Sequence, residues 1–246
     1  MSNTALVTGG TRGVGRGIAR ALVSAGWQVA ICGRKSPEEP VEGALFLPCD
    51  VRAADQAAAL VEDVARRFGR LDLLVNNAWA GYERLNAGGF QEWNAPFWEQ
   101  PLELFDAMFG GGVRAHYVAA AVCAPLLIAT PHSLVVTVSV AVPETEQHAF
   151  GAAYAMAKTA DDRLALAAAI QLGEHGVASL ALHPDWVRTE GVMQFADQAD
   201  LSSSQSPEGV GRTIVALAGD PEVMGLTGQA LTVTALAARY GVDVSA

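Results

Sequence analysis

The chain has 246 residues, with 16 basic and 26 acidic side chains and a formal net charge of −10. Hydrophobic residues make up 51% and charged residues 17%, enough apolar surface to exclude disorder and to fill a core without staples. The acidic balance argues against nucleic acid as a partner. The three cysteines (Cys32, Cys49, Cys123) lack metal-ligand spacing, which points to a reducing cytoplasm and to no metal site.

Short apolar runs alternate with helical stretches along the whole chain. Ala5–Thr8 reads as a buried strand, followed by the turn Thr8-Gly9-Gly10-Thr11-Arg12-Gly13-Val14-Gly15 and a helix over Gly15–Ala25, stopped by Gly26. Val29–Cys32 is a second strand, and Gly33-Arg34-Lys35 follows it. Leu45–Leu47 is a third, closed by Asp50-Val51. A helix over Ala53–Phe68 ends at Gly69, and Leu71–Val75 leads into Asn76-Asn77-Ala78. The segment 79–101 then departs from the rhythm: it is long for a connection and carries Trp79, Trp93 and Trp98.

A helix is expected over Leu102–Ile128, although Gly110-Gly111-Gly112 predicts an irregularity within it. Its apolar part, Val113–Ala129, is interrupted by Arg114, His116 and Pro125, so no membrane span is expected. Leu134–Val138 is the fifth strand, Ala152–Leu172 a helix, and Val177–Leu182 the sixth strand. Residues 190–206 read as a substrate loop. Ser206 caps a helix with Pro207 at its first position, running to Ala218, and Ala230–Val233 is the seventh strand. Strands alternating with helices predict an α/β fold: a Rossmann-like doubly wound parallel sheet with helices on both faces. No linker divides the chain, so residues 1–246 read as one domain.

Two motifs carry chemistry. A glycine-rich turn between strand and helix lets the backbone approach a pyrophosphate at a helix N-terminus. An NAD site places an acid at the end of the second strand. Here that position offers Arg34 and Lys35, with Arg12 inside the turn, which favours a ribose 2′-phosphate and hence NADP(H). The second motif is Tyr154-Ala155-Met156-Ala157-Lys158, which puts a phenol and an ammonium on one helical face. A neighbouring cation draws a phenol toward its ionised form and so toward useful acid–base chemistry.

Taken together, these motifs resemble the short-chain dehydrogenase/reductase superfamily, and within it a subgroup typified by dehydrogenase/reductase member 1. The likeness also rests on Pro184-x-x-Val187-x-Thr189, Ala95-Pro96-Phe97-Trp98-Glu99, Arg114-Ala115-His116-Tyr117 and Leu236–Gly241. The resemblance implies an oxidoreductase with Tyr154 as proton donor and Lys158 on the nicotinamide ribose. It implies cofactor contacts from Gly9, Thr11, Arg12, Gly13, Val14, Arg34, Asp50, Val51, Asn77, Ala78, Pro184, Val187 and Thr189. It also implies a small-molecule carbonyl substrate and a homodimer or homotetramer. Trp79, Trp93, Trp98 and Trp186 fall in segments expected near the nicotinamide end, which suggests an apolar or aromatic substrate.

The sequence departs from the family pattern in places. Ser139 is the candidate for the catalytic serine, although it lies two residues further from Tyr154 than expected. Gly112 stands where a relay asparagine belongs, Trp79 where a glycine follows Asn-Asn-Ala, and Asp185 where a glycine follows Pro184. His116 and His183 have no spaced acid or cysteine partner in the sequence and read as structural. These departures leave two alternatives open: a cofactor-binding regulatory protein with little turnover, and a non-redox enzyme of the same fold.

Overall fold

The computed structural model describes residues 2–81, 95–142, 151–194, 196–198 and 201–245. They form one seven-stranded, all-parallel sheet in the order β3-β2-β1-β4-β5-β6-β7. The strands are β1 (Thr4–Thr8), β2 (Gln28–Gly33), β3 (Ala44–Pro48), β4 (Leu73–Asn76), β5 (Leu134–Val138), β6 (Ala178–His183) and β7 (Ala230–Thr232). The direction of strand order reverses between β1 and β4, and ligands of such sheets bind outside the strands' C-terminal ends at that point. Each expected strand is present within one or two residues of its expected limits.

The helices are α1 (Gly13–Ser24), α2 (Ala54–Phe68), α3 (Leu102–Met108), α4 (Arg114–Ile128), α5 (Ala152–Gly173), α6 (Glu190–Met193), α7 (Pro207–Ala218) and α8 (Val233–Tyr240). One core lies between the sheet and α1, α7 and α8, where Ile18, Leu22, Ile214, Leu217 and Leu236 meet Val7, Val75 and Val136. The other lies under α2 and α4, where Leu60, Val64, Cys123 and Leu127 meet Leu6, Leu74 and Val135. Alternate residues of one strand thus feed both cores, which is why the strands read as continuous apolar runs. Ser206 caps α7 as expected, accepting from Gly209 N at 2.9 Å.

Two differences from the sequence reading stand out. Residues 233–240 are helical, and Thr232 caps them by accepting from Ala235 N, a short cap signal that the preceding strand masks. The apolar stretch around 113–129 lies within the expected helix, and its charged and proline positions do not break the helix itself. Leu102–Ile128 runs as one 27-residue helical unit, long and apolar enough to cross a membrane by length and composition alone, as a core helix also can be. Arg114, His116 and Pro125 do not interrupt it, and its inner face packs on the sheet through Ala115, Ala119, Cys123 and Leu127. The glycine triplet does produce the expected irregularity, as a π-helical turn over Phe109–Val113 that joins α3 to α4.

Candidate active site

The turn after β1 is held from β4. Thr8 Oγ1 donates to Val75 O and accepts from Asn77 N at 3.0 Å and Ala78 N at 3.1 Å. Asn77 Nδ2 donates to the carbonyls of Thr8 and Gly9 at 3.1 and 3.2 Å. Asn77 therefore acts as a clamp on the turn. Gly9 (φ +66°) and Gly13 (φ +54°) adopt backbone that side chains disfavour, and a Cβ on Gly9 would lie 2.8 Å from Ala78 Cα.

The α1 N-terminus already accepts an anionic oxygen. Gly13 N donates to a carboxylate oxygen of Glu190 at 3.1 Å, and Arg16 pairs with the other. Glu190 opens α6, which Thr189 caps. A carboxylate thus stands where the glycine turn would hold a phosphate, so the residues present fit a dinucleotide. Thr189 lies against Gly13, and Val187 pairs with Gln205. Asp185, which replaces a glycine, accepts from Gln205 Nε2 at 3.0 Å and Thr234 Oγ1 at 2.6 Å, tying this loop to α8.

At the end of β2, Arg34 and Lys35 are exposed, as is Arg12 in the turn, and Thr11 lies against Gly33. Arg52 is bound to Asp50 at 2.6–3.1 Å and holds its carboxyl below the usual range, with a further contribution from Arg34.

Tyr154 and Lys158 are both buried on α5. Lys158 Nζ donates to Val138 O and to Asp161 Oδ2, each at 3.2 Å. It also sits over the Trp79 ring, 3.7 Å from the centroid, and lies 5.9 Å from the Tyr154 ring. Trp79 in turn meets Tyr154 edge to face, with centroids 5.7 Å apart. Burial pushes the Lys158 ammonium below its ordinary range, and Asp161 and Asp162 offset part of that.

Two departures from the family pattern prove to be one. A Cβ on Gly112 would lie 2.2 Å from Trp79 Cζ3, and one on Gly111 2.3 Å from Ala80 Cβ. The indole after Asn77-Ala78 occupies the volume that a side chain at 112 would need. Two buried glycines in a helix cost about 2 kcal/mol against alanine. Burying even half of an indole contributes roughly 2–3 kcal/mol, so the exchange is tolerable.

Other expectations fare differently. The Ser139 hydroxyl donates to the Lys158 carbonyl at 3.0 Å, which commits its hydrogen to the helix backbone. Trp98 is 72% exposed and packs on Phe97, while Trp186 is half exposed on the loop after β6. The structure therefore brings Trp79 to the Tyr154–Lys158 pair and leaves Trp98 outside it. Trp93 lies outside the described residues. Among the described residues no His, Cys, Asp and Glu cluster could hold a metal.

Both histidines have acid partners in the fold. His116 Nδ1 lies 2.9 Å from Asp161 Oδ1, and His183 Nε2 lies 2.9 Å from Asp162 Oδ1. Their acids sit 45 and 21 residues away in sequence, so no local spacing could reveal them. Asp161 and Asp162 themselves follow Lys158 by three and four residues, and that helical spacing was the available signal.

A family model, short chain dehydrogenase, matches residues 3–200. The chain is 38% identical to mouse (Mus musculus) Dehydrogenase/reductase SDR family member 1 and 34% identical to the human (Homo sapiens) protein. Each alignment covers 96% of this chain and 81% of the relative. Among solved structures, a short chain dehydrogenase of Mycobacterium thermoresistibile superposes with a TM-score of 0.81 at 27% identity, over 98% of this chain and 88% of that one. A 3-oxoacyl-[acyl-carrier protein] reductase from Brucella melitensis, in complex with NAD, gives 0.80 at 26%, over 95% and 96%. With the glycine turn, the Tyr154–Lys158 pair and the strand order all in place, the chain belongs to the short-chain dehydrogenase/reductase family, a family of oxidoreductases that use a nicotinamide cofactor.

Proposed function

We propose that this protein is an NADPH-dependent reductase acting on a carbonyl of an apolar or aromatic small molecule. The observation that carries the reading is the convergence of Tyr154, Lys158 and Trp79 at the C-terminal ends of β4 and β5, one strand away from a helix N-terminus that already accepts a carboxylate. NADPH supplies the hydride when bound. Tyr154 donates the proton to the carbonyl oxygen. Lys158 holds the nicotinamide ribose, and its charge favours release of the phenol proton. Gly9, Thr11, Gly13 and Val14 hold the pyrophosphate, Asp50 and Val51 the adenine, with Asn77 and Ala78 beside it. Pro184, Val187 and Thr189 meet the carboxamide.

A carbonyl oxygen needs a hydrogen donor, and the Ser139 hydrogen is committed to the Lys158 carbonyl. Ser139 therefore works first as a strut between β5 and α5. Trp79, edge to face with Tyr154, supports an aromatic wall for the substrate, and Trp186 on the loop after β6 is its second candidate. Three buried, unpaired cysteines suit a reducing cytoplasm. Exposed Met156, which lines an apolar groove with Phe109 and Ala160, and exposed Ile170 further along α5 favour a homo-oligomer through this helix.

Cofactor choice is the direct test. Calorimetric titration should give tighter binding of NADPH than of NADH. Arg34→Ala should weaken NADPH by about ten- to hundredfold, the worth of a charge-assisted hydrogen bond, and leave NADH nearly unchanged. Equal affinities in the parent protein would remove the 2′-phosphate reading. Failure to consume NADPH with ketones, aldehydes and quinones would favour a cofactor-binding regulatory protein.

A further inference from the structure

Lys158, Asp161 and His116 form a buried line of three ionisable groups drawn from two helices. Lys158 is 5% exposed, Asp161 0% and His116 1%. Asp161 uses both carboxylate oxygens, one on Lys158 Nζ at 3.2 Å and the other on His116 Nδ1 at 2.9 Å. His116 Nε2 is buried and has no hydrogen-bond partner among the described residues. Asp161 is thus the polar partner that the structure gives this imidazole.

The other groups around Lys158 Nζ explain why such a line is needed. Tyr154 and Asp162 face it from α5, the Val138 carbonyl from β5 and the Trp79 ring from the loop after β4. The carbonyl and the ring are neutral. An ammonium cut off from water tends to lose its proton unless a negative charge is held against it. Asp161 is the carboxylate in contact. Burial works against its charged form, yet His116 and Lys158 together hold its pKa below the usual carboxylate range.

We propose that Asp161 and His116 are positioning residues that keep Lys158 charged and aimed for the cofactor. Asp161 supplies the counter-charge, and His116 locks the carboxylate by its second oxygen so that the first stays on Nζ. Trp79 has taken the volume on the α4 side of the lysine, where a side chain at 112 would lie, so the support comes from deeper along α5. The assignment rests on the proposed role of Lys158 as the ribose ligand.

The test is NADPH affinity as a function of pH, measured by calorimetry and alongside the reduction rate, with circular dichroism as the check on folding. The sign follows from the ammonium. Below the Lys158 pKa it is charged and holds the ribose; as pH rises through that pKa, affinity falls. Asp161→Asn removes the counter-charge and moves this fall to lower pH, so the variant loses NADPH affinity at a pH where the parent still binds. His116→Gln moves it the same way by a smaller amount. It decides the question alone if Asp161→Asn does not fold. A folded Asp161→Asn or His116→Gln whose affinity profile overlays that of the parent overturns the assignment. Lys158→Met separates the two levels. If it binds NADPH as the parent does, the ribose role itself fails; if it binds weakly while the Asp161 and His116 profiles overlay the parent, only the positioning role fails.

Discussion

The two halves of the sheet's C-terminal edge are built differently. Around β1 the site is largely backbone: a glycine turn, clamped by the Asn77 side chain, and a helix N-terminus whose Gly13 N–H meets Glu190. On the β4–β5 side it is side chain: an ammonium, a carboxylate, an imidazole and an indole packed between three helical segments. The backbone groups of the turn are adjacent in sequence, although Asn77 and Glu190 reach them from far along the chain. Side-chain sites depend on contacts across many tens of residues, so they can be rebuilt by paired exchanges such as Trp79 with Gly112.

The sharpest way to strain that contrast is Tyr154→Phe. It keeps the ring against Trp79 and removes only the proton, so turnover should fall by ~100- to 10,000-fold while NADPH binding on the glycine side stays nearly intact. Steady-state rates and a cofactor titration on the same sample check it; a variant turning over at the parent rate would remove Tyr154 as the acid. Next comes the paired exchange. Gly112→Asn drives a side chain into the indole and should destabilise by about 1–3 kcal/mol. Trp79→Gly leaves a cavity worth roughly 3–5 kcal/mol. The double variant should recover at least ~1 kcal/mol relative to the sum, as residues in contact do, and chemical denaturation of all four proteins measures this. Strict additivity would mean that the two positions are independent. The smallest effect expected is that of Ser139→Ala. Losing a neutral hydrogen bond costs about 1 kcal/mol, so the rate should change by less than tenfold. A thousandfold loss in rate assays would place the hydroxyl on the substrate instead.

The same contrast sets what the sequence made legible. The strands, the cap at Ser206 and the turn at Gly9–Gly15 are local patterns, and the structure matches them closely. The glycine triplet announced an irregular turn at 109–113 but could not say what filled the space beside it, because Trp79 lies more than thirty residues away. His116 and His183 read as isolated for the same reason: each finds its acid only after α4 or β6 packs against α5. Helix α8 escaped notice because Ala230–Val233 reads as strand right up to its first residue.

The π-helical turn has a consequence in helical phase. An α-helix turns about 100° per residue, and a π turn closes its hydrogen bond one residue later, so it takes up one extra residue within an otherwise regular cylinder. Leu104 and Met108 before the turn, and Ala115, His116 and Ala119 after it, are all buried. Were residues 109–113 to revert to α geometry with every residue kept, everything before the turn would rotate by about 100° relative to everything after it. The inner face of α3 and the imidazole of α4 could then not both point inward. The π turn absorbs the extra residue and so keeps the two segments in phase, which ties the number of residues in the glycine run to its geometry.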